Sequence, residues 1–146
     1  MLTSGPPFPS PMNPAVAASR SEVGFTSGGV RMLLRLEGAA ALAAVLGLYG
    51  HAGFSWPIFA LLFLSPDLAM LAYLAGPRAG AACYNLMHTC LPALALALAG
   101  FFAGLPAATA CGLIWIAHIG FDRALGYGLK YSTGFGDTHL SRIGRR

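Results

Sequence analysis

Between Leu33 and Tyr127 the chain is close to one continuous apolar tract, broken only by three short links rich in turn-forming residues. The tract divides into segments from about Leu33 to Tyr49, Trp56 to Ala75, Ala79 to Ala103 and Leu105 to Tyr127. Lengths of roughly 17 to 25 residues, at ~1.5 Å per helical residue, match the ~30 Å hydrocarbon layer of a bilayer. Hydrophobic residues make up 56% of the 146 and charged residues only 10%, too few to cover the surface of a soluble domain of this size. The expected fold is therefore all-α: four transmembrane helices in an up-down bundle. Its links Gly50-His51-Ala52-Gly53, Gly76-Pro77-Arg78 and Gly104-Leu105-Pro106 are short enough to make successive helices antiparallel. Residues 1–31 are expected to be a disordered Pro/Ser/Gly-rich leader, 32–131 the four-helix domain and 132–146 a cytoplasmic tail. Met32, just ahead of the first apolar segment, is a second candidate start of translation.

Charge placement orients the bundle. All 9 basic residues (Arg20, Arg31, Arg35, Arg78, Arg123, Lys130, Arg142, Arg145 and Arg146) fall in the N-terminal segment, the second link or the C-terminal end. With four spans these lie on one side. The positive-inside rule makes that side cytoplasmic, so both termini are expected in the cytoplasm of a multi-pass cell-membrane protein. Tyr49 and Trp56 are expected to mark the opposite interface. The net charge of +4 contains no basic run interleaved with aromatics outside the tails, so membrane lipid, and no nucleic acid, is the expected partner. Cys83, Cys90 and Cys111 show no ligand spacing and read as small packing residues. Nothing in the sequence fixes the oligomeric state.

An ionisable residue inside a membrane helix costs about 2.5–3.5 kcal/mol on insertion scales, so each one needs a partner or a task. This chain carries Glu37, Asp67, Asn85, His88, His118 and Asp122 in its apolar segments. At the α-helical rise, Asp67 lies about 12 Å from the cytoplasmic end, and His88 and His118 about 13 Å. Glu37, Asn85 and Asp122 are shallower on the same side, so four helices contribute polar groups to one layer. Asn85 and His88 are i, i+3 neighbours, His118 and Asp122 are i, i+4, and each pair shares a helix face. Pro66 and Pro92 each leave a carbonyl four residues earlier without its helical donor, and the resulting kinks suit a polar cavity. Asp137 and His139, beyond the fourth segment, add a carboxylate and an imidazole that can fold back over the cytoplasmic mouth.

Asp67, His88, His118 and Asp122 are thus the candidate catalytic residues and the candidate ligands of a divalent metal, which would activate water on a membrane-soluble substrate. Glu37, Asn85, Asp137 and His139 are candidate supporting groups. Two other readings use the same residues: a small transporter or proton relay, and a non-catalytic assembly protein whose polar network only fixes packing. In that last reading Asp67 accepts a hydrogen bond from His88 and Asp122 pairs with Arg123. Arg123 is otherwise expected to snorkel to the cytoplasmic interface.

The segments LLFLSPDLAMLAYLAGPRAGAACYNLMHT and IWIAHIGFDRALGYGLKYSTGFGDTHLSRIG, preceded by RLEG, resemble the small bacterial membrane proteins grouped as domain of unknown function 4260. The resemblance runs from about Leu36 to Gly144. It implies an integral membrane protein and no particular activity. The SPD and HxxxD elements are also loosely similar to those of membrane-bound metal-dependent hydrolases.

Overall fold

The computed structural model describes residues 26–132, 135, 136 and 138–140, and every regular element among them is helical. Helix α1 spans Gly28–His51, α2 Trp56–Leu62, α3 Pro77–Met87, α4 Cys90–Phe102 and α5 Pro106–Leu125, with a 3₁₀ helix over Ser65–Ala75 between α2 and α3. The expected leader, Met1–Arg31, lies outside the described residues as far as Phe25, and its last four residues are the first turn of α1.

Three helical stretches are long and apolar enough to cross a membrane: Gly28–His51, Trp56–Ala75 and Pro77–Phe102. Their large apolar side chains point outward, with Leu74 91% and Phe102 80% exposed. That reverses the pattern of a soluble core and fits a hydrocarbon surrounding. The fourth expected span, α5, is not among the three. It is the most interior helix, burying Gly112, Ile114, Ala117, His118, Ile119 and Gly120.

Two of the apolar stretches are broken where prolines sit. The second changes from α-helix to 3₁₀ helix around Pro66, and the third is interrupted at His88 and Thr89, just before Pro92. The 3₁₀ rise of ~2.0 Å per residue puts Asp67 about 16 Å from the Ala75 end, deeper than an α-helical count gives. Pro92 has no N–H to offer the His88 carbonyl, and the Arg123 guanidinium takes that acceptor at 3.2 Å. Arg123 also makes a second bond, to the Tyr127 carbonyl at 3.4 Å.

Helix α5 packs between α1 and α4, and close backbone approach depends on small residues. A Cβ at Gly120 would lie 2.9 Å from the Gly38 carbonyl oxygen, and one at Gly112 would lie 2.4 Å from the Ala97 nitrogen. The 3₁₀ helix and α3 pack on each other as a separate hairpin. That hairpin meets α5 through individual side chains, among them Trp115 Nε1 donating to the Met87 carbonyl at 2.5 Å. Tyr49, expected as an interface aromatic, is fully buried among Phe54, Trp56 and Phe59 and donates its hydroxyl to the Ser55 carbonyl at 2.8 Å.

Candidate metal centre

The site lies on the seam between the 3₁₀–α3 hairpin and α5. The 3₁₀ helix supplies Asp67 in its first turn, the break after α3 supplies His88, and one face of α5 supplies His118 and Asp122. One ligand atom from each of the four lies within 4.8 Å of all the others. His88 Nε2 is 3.1 Å from His118 Nε2, 3.3 Å from Asp67 Oδ1 and 3.5 Å from Asp122 Oδ2. His118 Nε2 is 3.6 Å from Asp67 Oδ1 and 3.9 Å from Asp122 Oδ2. Ligand bonds of ~2.0–2.2 Å set tetrahedral edges of about 3.3–3.6 Å. The five separations straddle that range.

The groups around the ligands favour this use. His88 Nδ1 lies 2.9 Å from the Tyr84 carbonyl, which can only accept, so Nδ1 carries the proton and Nε2 presents its lone pair to the centre. Tyr84 also donates its hydroxyl to Asp122 Oδ2 at 3.3 Å, and its ring stacks on His88 with centroids 3.7 Å apart. His118 Nδ1 is buried with no hydrogen-bond partner among the described residues. Both imidazoles are buried, whereas the Asp67 side chain is 30% exposed.

The supporting residues go elsewhere. Asn85 clamps the segment after α5: its amide donates to the Lys130 carbonyl at 2.8 Å, and its oxygen accepts the Lys130 N–H at 2.7 Å. Lys130 then faces Thr138 across an antiparallel bridge, so the chain does turn back on itself. The Lys130 ammonium lies 3.2 Å from the Phe135 ring centroid and 4.5 Å from that of Tyr84. Burial pushes its pKa down, and the Asp122 and Asp67 carboxylates pull it up. His139 Nδ1 accepts the Leu129 N–H at 2.9 Å, and burial, then Arg123, push its pKa down. Thr26 holds the His139 carbonyl with its N–H at 3.0 Å and its hydroxyl at 3.2 Å. Glu37 and His139 line a cavity of about 320 Å³ with Arg123, Cys90 and mostly apolar side chains between α1, α5 and the returning chain. Neither belongs to the four-residue cluster. Asp137 lies outside the described residues.

Tyr84, Trp115 and Lys130 were not among the residues marked by sequence. Tyr84 had a signal, since it sits one helical turn before His88 on the same face.

A helical protein with membrane-length apolar segments and a buried cluster of two histidines and two aspartates is the class that fold and site define. Within that class the chain belongs to the family described as Domain of unknown function (DUF4260), whose family model matches residues 31–143. No curated protein and no solved structure matches the chain.

Proposed function

We propose that this is a four-span membrane protein that binds one divalent metal ion through Asp67, His88, His118 and Asp122 in its cytoplasmic half. The metal activates water for hydrolysis of a membrane-soluble substrate. The observation carrying this reading is the set of ligand-atom separations, 3.1–3.9 Å, converging from three separate elements. Charge supports it: two carboxylates and two neutral imidazoles around a dication sum to zero, and a neutral assembly suits a low-dielectric layer. Zn²⁺ held by these residues would bring the pKa of coordinated water to about 7 and so supply hydroxide at neutral pH. The partial exposure of Asp67 provides the approach for water and substrate. Helix α5 serves as the fourth span, because its 20 residues reach about 30 Å and its polar side chains face the seam. The one-sided placement of basic residues puts both termini in the cytoplasm.

Metal analysis of the protein purified in detergent tests the reading. One equivalent of metal is expected in the wild type, with loss of that metal and retention of helical content in His118→Ala. No metal under any loading condition would sink the proposal. Metal bound undiminished in both His118→Ala and Asp67→Ala would do the same.

A further inference from the structure

We infer that Tyr84 is a positioning residue of this centre, an inference that rests on the metal reading above. Three of its groups act on two ligands. Its carbonyl sets the protonation of His88 Nδ1 at 2.9 Å. Its ring lies nearly parallel to the His88 imidazole, with an interplanar angle of 11°. Its hydroxyl donates to Asp122 Oδ2, the same oxygen that faces both imidazole Nε2 atoms.

The division of labour is specific to tyrosine. Any residue offers a carbonyl, and phenylalanine would supply the stacked ring, but only the phenol also fixes a carboxylate oxygen. That hydrogen bond restrains Asp122 Oδ2 in the direction of the histidine nitrogens, leaving less rotational freedom to be lost when the ion arrives. Tyr84 is 4% exposed, so water is poorly placed to substitute for the hydroxyl. The opposite case is present in the same hairpin. The Tyr73 hydroxyl is buried with no hydrogen-bond partner among the described residues and serves as an internal control.

The test is a Co²⁺ titration of the full-length protein in detergent, read by visible absorption and by competition with a chelator, for wild type, Tyr84→Phe and Tyr73→Phe. Loss of one supporting hydrogen bond around a ligand lowers metal affinity about 10–100-fold. Tyr84→Phe should show that drop and an altered ligand-field spectrum, with a metal-free melting temperature close to wild type. Tyr73→Phe should match wild type in affinity and spectrum. Wild-type affinity and spectrum in Tyr84→Phe would overturn the assignment while leaving the metal centre intact. Equal loss in both variants would also overturn it, as the mark of a general packing effect. A wild type that takes up no Co²⁺ would overturn the metal reading itself.

Discussion

His88 Nε2 and His118 Nε2 face each other at 3.1 Å, each imidazole almost completely buried. With the His88 proton committed to the Tyr84 carbonyl, one proton on His118 Nε2 bridges the pair and leaves His118 Nδ1 bare. A metal ion held there would take the place of the bridging proton, with the Nε2 lone pairs of His88 and His118 available to it. Stripping the metal should therefore lower the melting temperature of the wild type. At free metal about 100-fold above Kd the loss is ~2.7 kcal/mol, and it should vanish in His118→Ala. An identical melting temperature with and without chelator would contradict this.

Asn85→Ala removes both bonds to the Lys130 backbone and should free the segment after α5. The two partly buried hydrogen bonds are together worth about 1–3 kcal/mol. Faster amide exchange over Leu129–Leu140, with α1 and α4 unchanged, is the expected result.

Arg123→Met leaves the His88 carbonyl without a donor, because Pro92 cannot supply one. Loss of a charged donor to a partly buried carbonyl costs about 1.5–3 kcal/mol. The same substitution should cost less in a Pro92→Ala background, where an N–H returns at the right position. Strict additivity of the two changes in a double-mutant cycle would disprove the link.

His139 has its pKa held below its ordinary 6.5 by burial and by Arg123. The folded chain thus prefers the neutral imidazole, and the unfolded chain binds more protons as pH falls. Stability from this residue is present above pH 6.5 and is lost progressively as pH drops toward and through the lower folded value. Protonation also removes the Nδ1 lone pair that accepts the Leu129 N–H. Limited proteolysis near Leu129–Leu140 should accelerate between pH 7 and pH 5 in wild type and less so in His139→Gln. A flat profile would argue against it.

Gly120→Val should separate α1 from α5, since its added atoms meet the Gly38 carbonyl and the Leu42 backbone. Overpacking of this kind costs about 1–3 kcal/mol, and more where backbone must move. A melting temperature within a degree of wild type would refute the close-approach argument.

Distance along each helix was legible in the sequence to within the change of rise in the 3₁₀ segment, which adds about 4 Å for Asp67. Counting residues brought Asp67, His88 and His118 to a common level before any contact was known. Azimuth was not legible. Glu37 was expected at the rim of the same polar layer, but the Gly38–Gly120 contact turns it into the cavity between α1, α5 and the returning chain, away from the cluster. Such rotations are fixed by packing against neighbours, which no single segment encodes. The prolines announced breaks at the right places, whereas the 3₁₀ form of Ser65–Ala75 was hidden in an ordinary apolar run. Tyr84 was overlooked because aromatic residues in apolar segments read as packing, and only its neighbours reveal what the hydroxyl does.

The seam position of the cluster has a consequence during synthesis. At ordinary elongation rates of ~5–20 residues per second, Asp67 emerges from the ribosome roughly 3–11 s before Asp122, and His88 roughly 2–7 s before it. On the four-span reading, the hairpin would enter the bilayer in that interval with its two ionisable groups and no α5 to receive them. The 3.3 Å contact between His88 Nε2 and Asp67 Oδ1 needs only the hairpin itself, and one proton held between the two atoms lets them shelter each other. The same pair that would later contribute half of the proposed metal site is thus a temporary escort, sheltering the first part of the chain until the helix that completes the cluster arrives.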